Sequence, residues 1–235
     1  METDSIELEN DDDGLRLSNE EARVLACLME KEVTTPDVYP MSLNGLVLAC
    51  NQKTNRHPVV DYDEETIAEA LQGLRGKGLV YRMDIAGSRV PKYRHRLDEW
   101  TSLTAGGKAL LSTLLLRGAQ TLGELRSRSE RMFGFGSTES VEAEFAFMAE
   151  HIEIPLWVKL APAPGQKEAR YAHLLCGPVA AESVQPSAAL PTEPAVAAAQ
   201  ARQQRIDALE AKVAGLEQAL ADLTQTFEDF RKQFD

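Results

Sequence analysis

Two copies of a helix–helix–helix–strand–turn–strand pattern, followed by an unbroken heptad seam, predict a mainly α (α+β) chain. That order is the order of a winged helix-turn-helix domain. The fold class expected is therefore two tandem winged helix-turn-helix domains followed by a C-terminal coiled-coil helix. A chain of 235 residues has room for two such units of about 80 residues each, plus extensions. Pattern and composition divide it into an acidic disordered tail at 1–15, domains at 16–98 and 99–177, a Pro/Ala-rich linker at 178–199 and a coiled coil at 200–235.

The first helix of each copy carries the clearest repeat. In "LSNEEARVLACLM", Leu17 is a staple, Ser18 an N-cap and Glu21 the third member of a capping box. Val24, Leu25, Leu28 and Met29 then form one helical face. In "LTAGGKALLSTLL", Leu103, Thr104, Leu110, Leu111, Leu114 and Leu115 repeat these positions 86 residues later. Second helices start at Ser42-Leu43 and Thr121-Leu122, with Leu46 and Leu125 in the same register. Third helices follow, with Ile67, Ala70, Leu71 and Leu74 in one copy and Val141, Glu144, Phe145 and Met148 in the other. Each copy ends in two short strands around a bend, at Gly87-Ser88 and at Pro164-Gly165. The returning strands, "KYRHRL" and "RYAHLL", share a Tyr-x-His-x-Leu pattern, which indicates a common structural need rather than catalysis.

The stretch "LMEKEVTTPDVYPMSLNGLVLACNQKTNRHPVV" resembles the signature of the YceH-like family of bacterial proteins, and "LLLRGAQTLGELRSRSERMFGF" resembles its second half. The resemblance covers residues 16–177. It implies a tandem winged-helix protein for which DNA binding is inferred from the fold. Two positions depart from the family: His57 stands where an acid is usual, and Phe133 replaces a histidine after "RM".

Beyond Gly177, four prolines among alanines and serines read as linker. Ile206, Leu209, Val213, Leu216, Leu220, Leu223, Phe227, Phe230 and Phe234 then alternate steps of three and four, an a/d seam. Branched residues at the first two a positions with leucine at d favour a parallel homodimer. Arg205 would then face Glu210 of a second copy, and Lys212 its Glu217. An antiparallel pair, with Glu210 near Arg231, stays open, as does a lone helix folded back on the body.

The net charge of −12 is uneven: −7 over 1–15, 0 over 16–98, −1 over 99–177 and −4 over 178–235. The patterned regions are thus nearly neutral, and an acidic pI does not argue against nucleic acid. The third helices, however, turn Glu64, Glu65, Glu69, Glu139, Glu142 and Glu150 outward, and carboxylates repel phosphate. The cations lie beside them. The helix-two-to-three loop holds Asn51, Gln52, Lys53, Asn55, Arg56 and His57, and the first hairpin holds Arg82, Arg89, Lys92, Arg94 and Arg96. The second copy supplies Arg126, Arg128 and Arg131. Such a set suits backbone contacts to double-stranded DNA. Asn51 and Asn55 also suit a helix cap and a turn.

Cys27, Cys50 and Cys176 have no CxxC spacing, and the histidines lack metal-ligand spacing, so no metal or cofactor is expected. No nucleophile–base arrangement or phosphate-binding glycine loop is present, and no enzyme is expected. The first residues do not read as a secretory signal and no apolar run reaches bilayer length, so a cytoplasmic protein without a membrane partner is expected. Two function classes stay open: a dimeric DNA-binding transcriptional regulator, and a protein-interaction scaffold.

Overall fold

The computed structural model describes residues 15–177, except 86, 163–165 and 167. Residues 1–14 of the acidic tail, the linker and the coiled-coil positions Ile206, Leu209, Val213, Leu216, Leu220, Leu223, Phe227 and Phe230 therefore lie outside the described residues, as does the bend at Pro164-Gly165, while Leu15 packs against the core.

The described chain is α+β, with helices dominating and two small antiparallel sheets. The first half begins with α1 (Asn19–Thr34), whose cap is the expected box: Ser18 Oγ accepts from Glu21 N while Glu21 accepts from Ser18 N. A 3-10 turn (Pro36–Val38) and the two-residue β1 (Met41–Ser42) lead to α2 (Leu43–Cys50), capped by Ser42. Asp63 caps α3 (Glu64–Gly76), which buries Ile67, Ala70, Leu71 and Leu74 and leaves Glu64, Glu65 and Glu69 exposed. The hairpin strands β2 (Val80–Met83) and β3 (Lys92–His95) follow. The strand ends two residues earlier than its sequence pattern suggests, because Leu97 opens a short helix, α4 (Leu97–Trp100).

The second half repeats this order. Thr104 caps α5 (Ala105–Arg117), Thr121 caps α6 (Leu122–Ser129) with a full capping box, and Ser137 caps α7 (Thr138–His151). Strands β4 (Trp157–Leu160) and β5 (Arg170–His173) close it.

Pairing explains the recurring tyrosine. In the first half β1 joins the hairpin in the order β1-β3-β2, with Met41 opposite Tyr93. In the second half a single bridge joins Gln120 to Tyr171, with N–H···O distances of 2.9 and 2.7 Å. Met41 and Gln120 each immediately precede the N-cap of a second helix. Each tyrosine therefore marks where the returning strand is tied to the entry of that helix.

The two halves share one hydrophobic cluster. Its centre is the contact of α1 with α5, where Ser112 Oγ donates to Ala26 O at 3.2 Å across 86 residues, the repeat offset itself. Equivalent residues thus meet at the crossing, as expected of two like units facing each other. Residues 21–30 of α1 are all buried, because one face of the helix covers its own half and the other covers α5. A helix enclosed this way is apolar nearly all round, and any charge it carries needs a partner. Leu17 N also donates to Leu175 O at 2.7 Å, tying the entry to α1 to the end of the second half.

Leu28 and Leu114 are equivalent and both fully buried. Leu28→Ala and Leu114→Ala should each lower stability by about 2–5 kcal/mol. Because the core is shared, far-UV circular dichroism and tryptophan fluorescence should report one coincident urea transition for each variant. Two separated transitions would show that the halves fold independently.

Candidate nucleic-acid interface

Several side chains of the loop between α2 and α3 fold inward, although Lys53, His57 and Val59 stay exposed. Asn51 is the C-cap residue of α2, and its side chain both donates to Tyr62 O (2.7 Å) and accepts from Tyr62 N (2.8 Å). Asn55 adopts φ 60°, a left-handed conformation that asparagine tolerates, and its Oδ1 accepts from Arg117 at the end of α5. His57 N donates to Leu116 O at 2.8 Å. The loop is thus a seam against the second half.

Arg56 does not stand where the sequence places it. An exposed, phosphate-facing cation is expected there, yet its side chain is 0% exposed and pairs with Glu30. Nη2 donates to Glu30 Oε2 at 2.6 Å and Nη1 to Oε1 at 3.2 Å; Nε donates to Ala49 O and Nη2 also reaches Gln52 Oε1. The cause is α1: enclosed on all sides, it brings Glu30 into the core, and a buried carboxylate demands a cation. Burial acts to raise the Glu30 pKa, but the bonds and charge of Arg56 outweigh it and hold the group below its ordinary value. Gln52, half-buried and bonded to Arg56, belongs to the same brace. Of the six loop residues named from the sequence, Lys53 and His57 are exposed, Asn51, Gln52 and Asn55 are half-buried, and Arg56 is buried.

The remaining cations divide by partner. Arg82 pairs with Asp84 at 3.2 Å and Arg94 lies 3.9 Å from Glu99, which also binds Arg96. These pairs are solvent-exposed and worth little. Arg128 is half-buried, 3.3 Å from Glu124 and bonded to Gln120, while Arg170 binds the same carboxylate at 2.8 Å. Lys53, Arg89, Lys92, Arg126 and Arg131 form no ion pair among the described residues, and all but Lys92 are exposed. In α7, Glu139, Glu142 and Glu150 are exposed as expected, with Lys159 2.9 Å from Glu142.

Several buried polar residues carry no marker in their own sequence neighbourhood. Arg23 and Glu30, seven residues apart within the apolar run of α1, are the signal that was available: charges in a helix apolar all round must be matched. Arg117 joins them at the seam through Asn55, while Gln120 and Arg170 bond within the second half. Burial, then the charges of Arg128 and Arg56, pull Arg117 down to about 10. Cys27 and Cys50, far apart in sequence, lie with Sγ atoms 3.7 Å apart in the core.

The recurring histidines have different roles, His95 buried and His173 half-buried. Glu32, His95 and Asp98 come within metal-ligating reach of one another. However, His95 Nδ1 accepts from Leu97 N (3.2 Å), so its proton resides on Nε2 and is donated to Glu32 at 2.8 Å. Asp98 is held by Lys108 at 2.9 Å. This is a brace between α1 and the hairpin, with no nitrogen left to a metal. His173 Nδ1 is buried without a partner among the described residues, and burial pulls its pKa down to about 4.

Two outcomes test this description. Glu30→Ala leaves Arg56 buried without its counter-charge and should cost about 3–5 kcal/mol in urea denaturation, largely recovered in Glu30→Leu with Arg56→Met. A single-variant cost no larger than that of a surface pair would refute the buried pair. His173 is neutral in the folded state, so its contribution is complete above an unfolded pKa of about 6.5. As pH falls toward about 4, the unfolded chain takes up a proton that the folded chain refuses, and stability drops by about 1–3 kcal/mol. His173→Gln should remove that drop in denaturation curves measured at both ends of the window.

Comparison with known proteins gives the chain its relatives. The family model DUF480, described as a protein of unknown function, matches residues 17–166. A UPF0502 protein of Pelobacter propionicus is 46% identical over 219 residues, covering 93% of this chain and 98% of the relative. A UPF0502 protein of Geobacter sulfurreducens is 44% identical with the same coverage, and the UPF0502 protein YceH of Salmonella newport is 46% identical over 211 residues, covering 88% of this chain and 95% of the relative. The matched span includes the whole α1–α5 contact and the inward-folded loop, and the chain belongs to the DUF480/UPF0502 family.

Proposed function

We propose that the protein is a DNA-binding regulator built from two winged-helix units. The strand inserted between first and second helices, paired with the returning strand of a hairpin, is the arrangement a winged helix uses, and β1 in the order β1-β3-β2 supports it. The observation that carries the DNA reading is a division of charge. Lys53, Arg89, Arg126 and Arg131 are exposed and form no ion pair among the described residues, whereas the third helices expose chiefly glutamate. Contact through connectors and hairpins to phosphate fits this division better than a third helix in the major groove. The reading includes a homodimer formed through residues 200–235, a cytoplasmic location and no catalytic step.

A scaffold role is the second reading, favoured by Phe133, Phe147 and Ile154, which are exposed on and around α7 beside its glutamates. No helix among the described residues is long and apolar enough to cross a membrane, so neither reading involves one.

The test is fluorescence anisotropy of the full chain against random duplex DNA at two salt concentrations. Binding should weaken as salt rises, and Lys53→Ala, Arg126→Ala and Arg131→Ala should each reduce the salt slope by about 1. Arg94→Ala should do the same more weakly, its charge being shared with Glu99. Absence of binding at low salt would sink the DNA reading. Partner recovery that resists nuclease and is lost in Phe147→Ser would favour the scaffold. Deleting residues 200–235 should yield a monomer by light scattering; an unchanged mass would remove the coiled-coil dimer.

A further inference from the structure

A cavity of about 570 Å³ lies at the seam between the two halves, a volume in the range of small-ligand sites. Arg23, Tyr62, Leu115, Ala119, Ala172 and His173 line it, so α1, α5 and β5 all contribute. Arg23 is 4% exposed. Two of its five donors are used on backbone carbonyls, Nη1 to Cys50 O at 3.2 Å and Nη2 to Pro58 O at 2.8 Å. No carboxylate forms an ion pair with it among the described residues. A buried guanidinium is ordinarily matched by a counter-charge, and here the open side of the match is a cavity.

We propose that this cavity binds a small organic carboxylate with an apolar body, its carboxylate on Arg23 and its body against Leu115, Ala119 and Tyr62. One unmatched guanidinium balances one negative charge, and its planar fork fits a carboxylate. Glu20 also lines the cavity, its carboxylate accepting from Ser18 Oγ at 2.8 Å, and its charge repels a dianion such as phosphate more strongly than a single carboxylate. His173, kept neutral by burial, adds a polar group without adding charge. The proposal goes beyond the DNA reading and does not depend on it, since it is read on the protein without nucleic acid.

The experiment is isothermal titration of the full chain with benzoate, its neutral counterpart benzamide, and inorganic phosphate. Benzoate should bind saturably and at least about tenfold more tightly than either of the others. Arg23→Met should lose about tenfold or more of that affinity. Ala119→Leu keeps the guanidinium and fills the cavity from the connecting loop, so it should abolish binding even if Arg23→Met does not fold. The proposal is overturned if benzoate fails to saturate by about 10 mM, if benzamide or phosphate binds as tightly, or if Ala119→Leu binds benzoate unchanged.

Discussion

The contact of α1 with α5 governs the rest of the structure. Each half has too few elements to enclose its own first helix, so each uses the other's as a wall, and the two meet at equivalent residues, Ala26 and Ser112. Enclosing α1 buries charge as well as hydrocarbon. Glu30 then requires Arg56, which draws the loop after α2 inward, and that loop reaches the end of α5 through Asn55 and His57. The seam, the buried ion pair and the cavity all follow from the middle of one helix, residues 21–30, being covered all round.

Much of this architecture was legible in the sequence. The caps at Ser18, Ser42, Thr104 and Thr121, the apolar faces of all six principal helices, and the outward glutamates of α3 and α7 lie where period and capping chemistry put them. These are local signals, decided within one or two helical turns. The fate of the loop at 51–60 was not local. Whether Arg56 faces water depends on Glu30, twenty-six residues earlier, and on whether a helix of the other half covers it. A cation among amides looks the same in an exposed connector and in a packed seam. The pairing of Cys27 with Cys50 escaped for the same reason.

Charge is partitioned between the seam and the surface. Arg56 pairs with Glu30, Arg128 and Arg170 with Glu124, and Arg23 and Arg117 bond to uncharged groups, so the buried and half-buried charge is cation-rich although the chain is acidic overall. Near-neutral totals for each half concealed this, because a sum over residues says nothing of which charges are desolvated. The surface cations are correspondingly fewer than the sequence count suggests, and a salt-dependent association would rest on a smaller set of side chains.

The bond from Leu17 N to Leu175 O has a topological consequence. The chain enters and leaves the described body at the same point, so the body is a ring interrupted by one missing covalent link. Closing that link and cutting instead at the exposed Ser102, between the halves, would give a circular permutant with every packed element in place. Which half is made first is thus separable from how the halves pack, as suits a pair of like units that meet face to face.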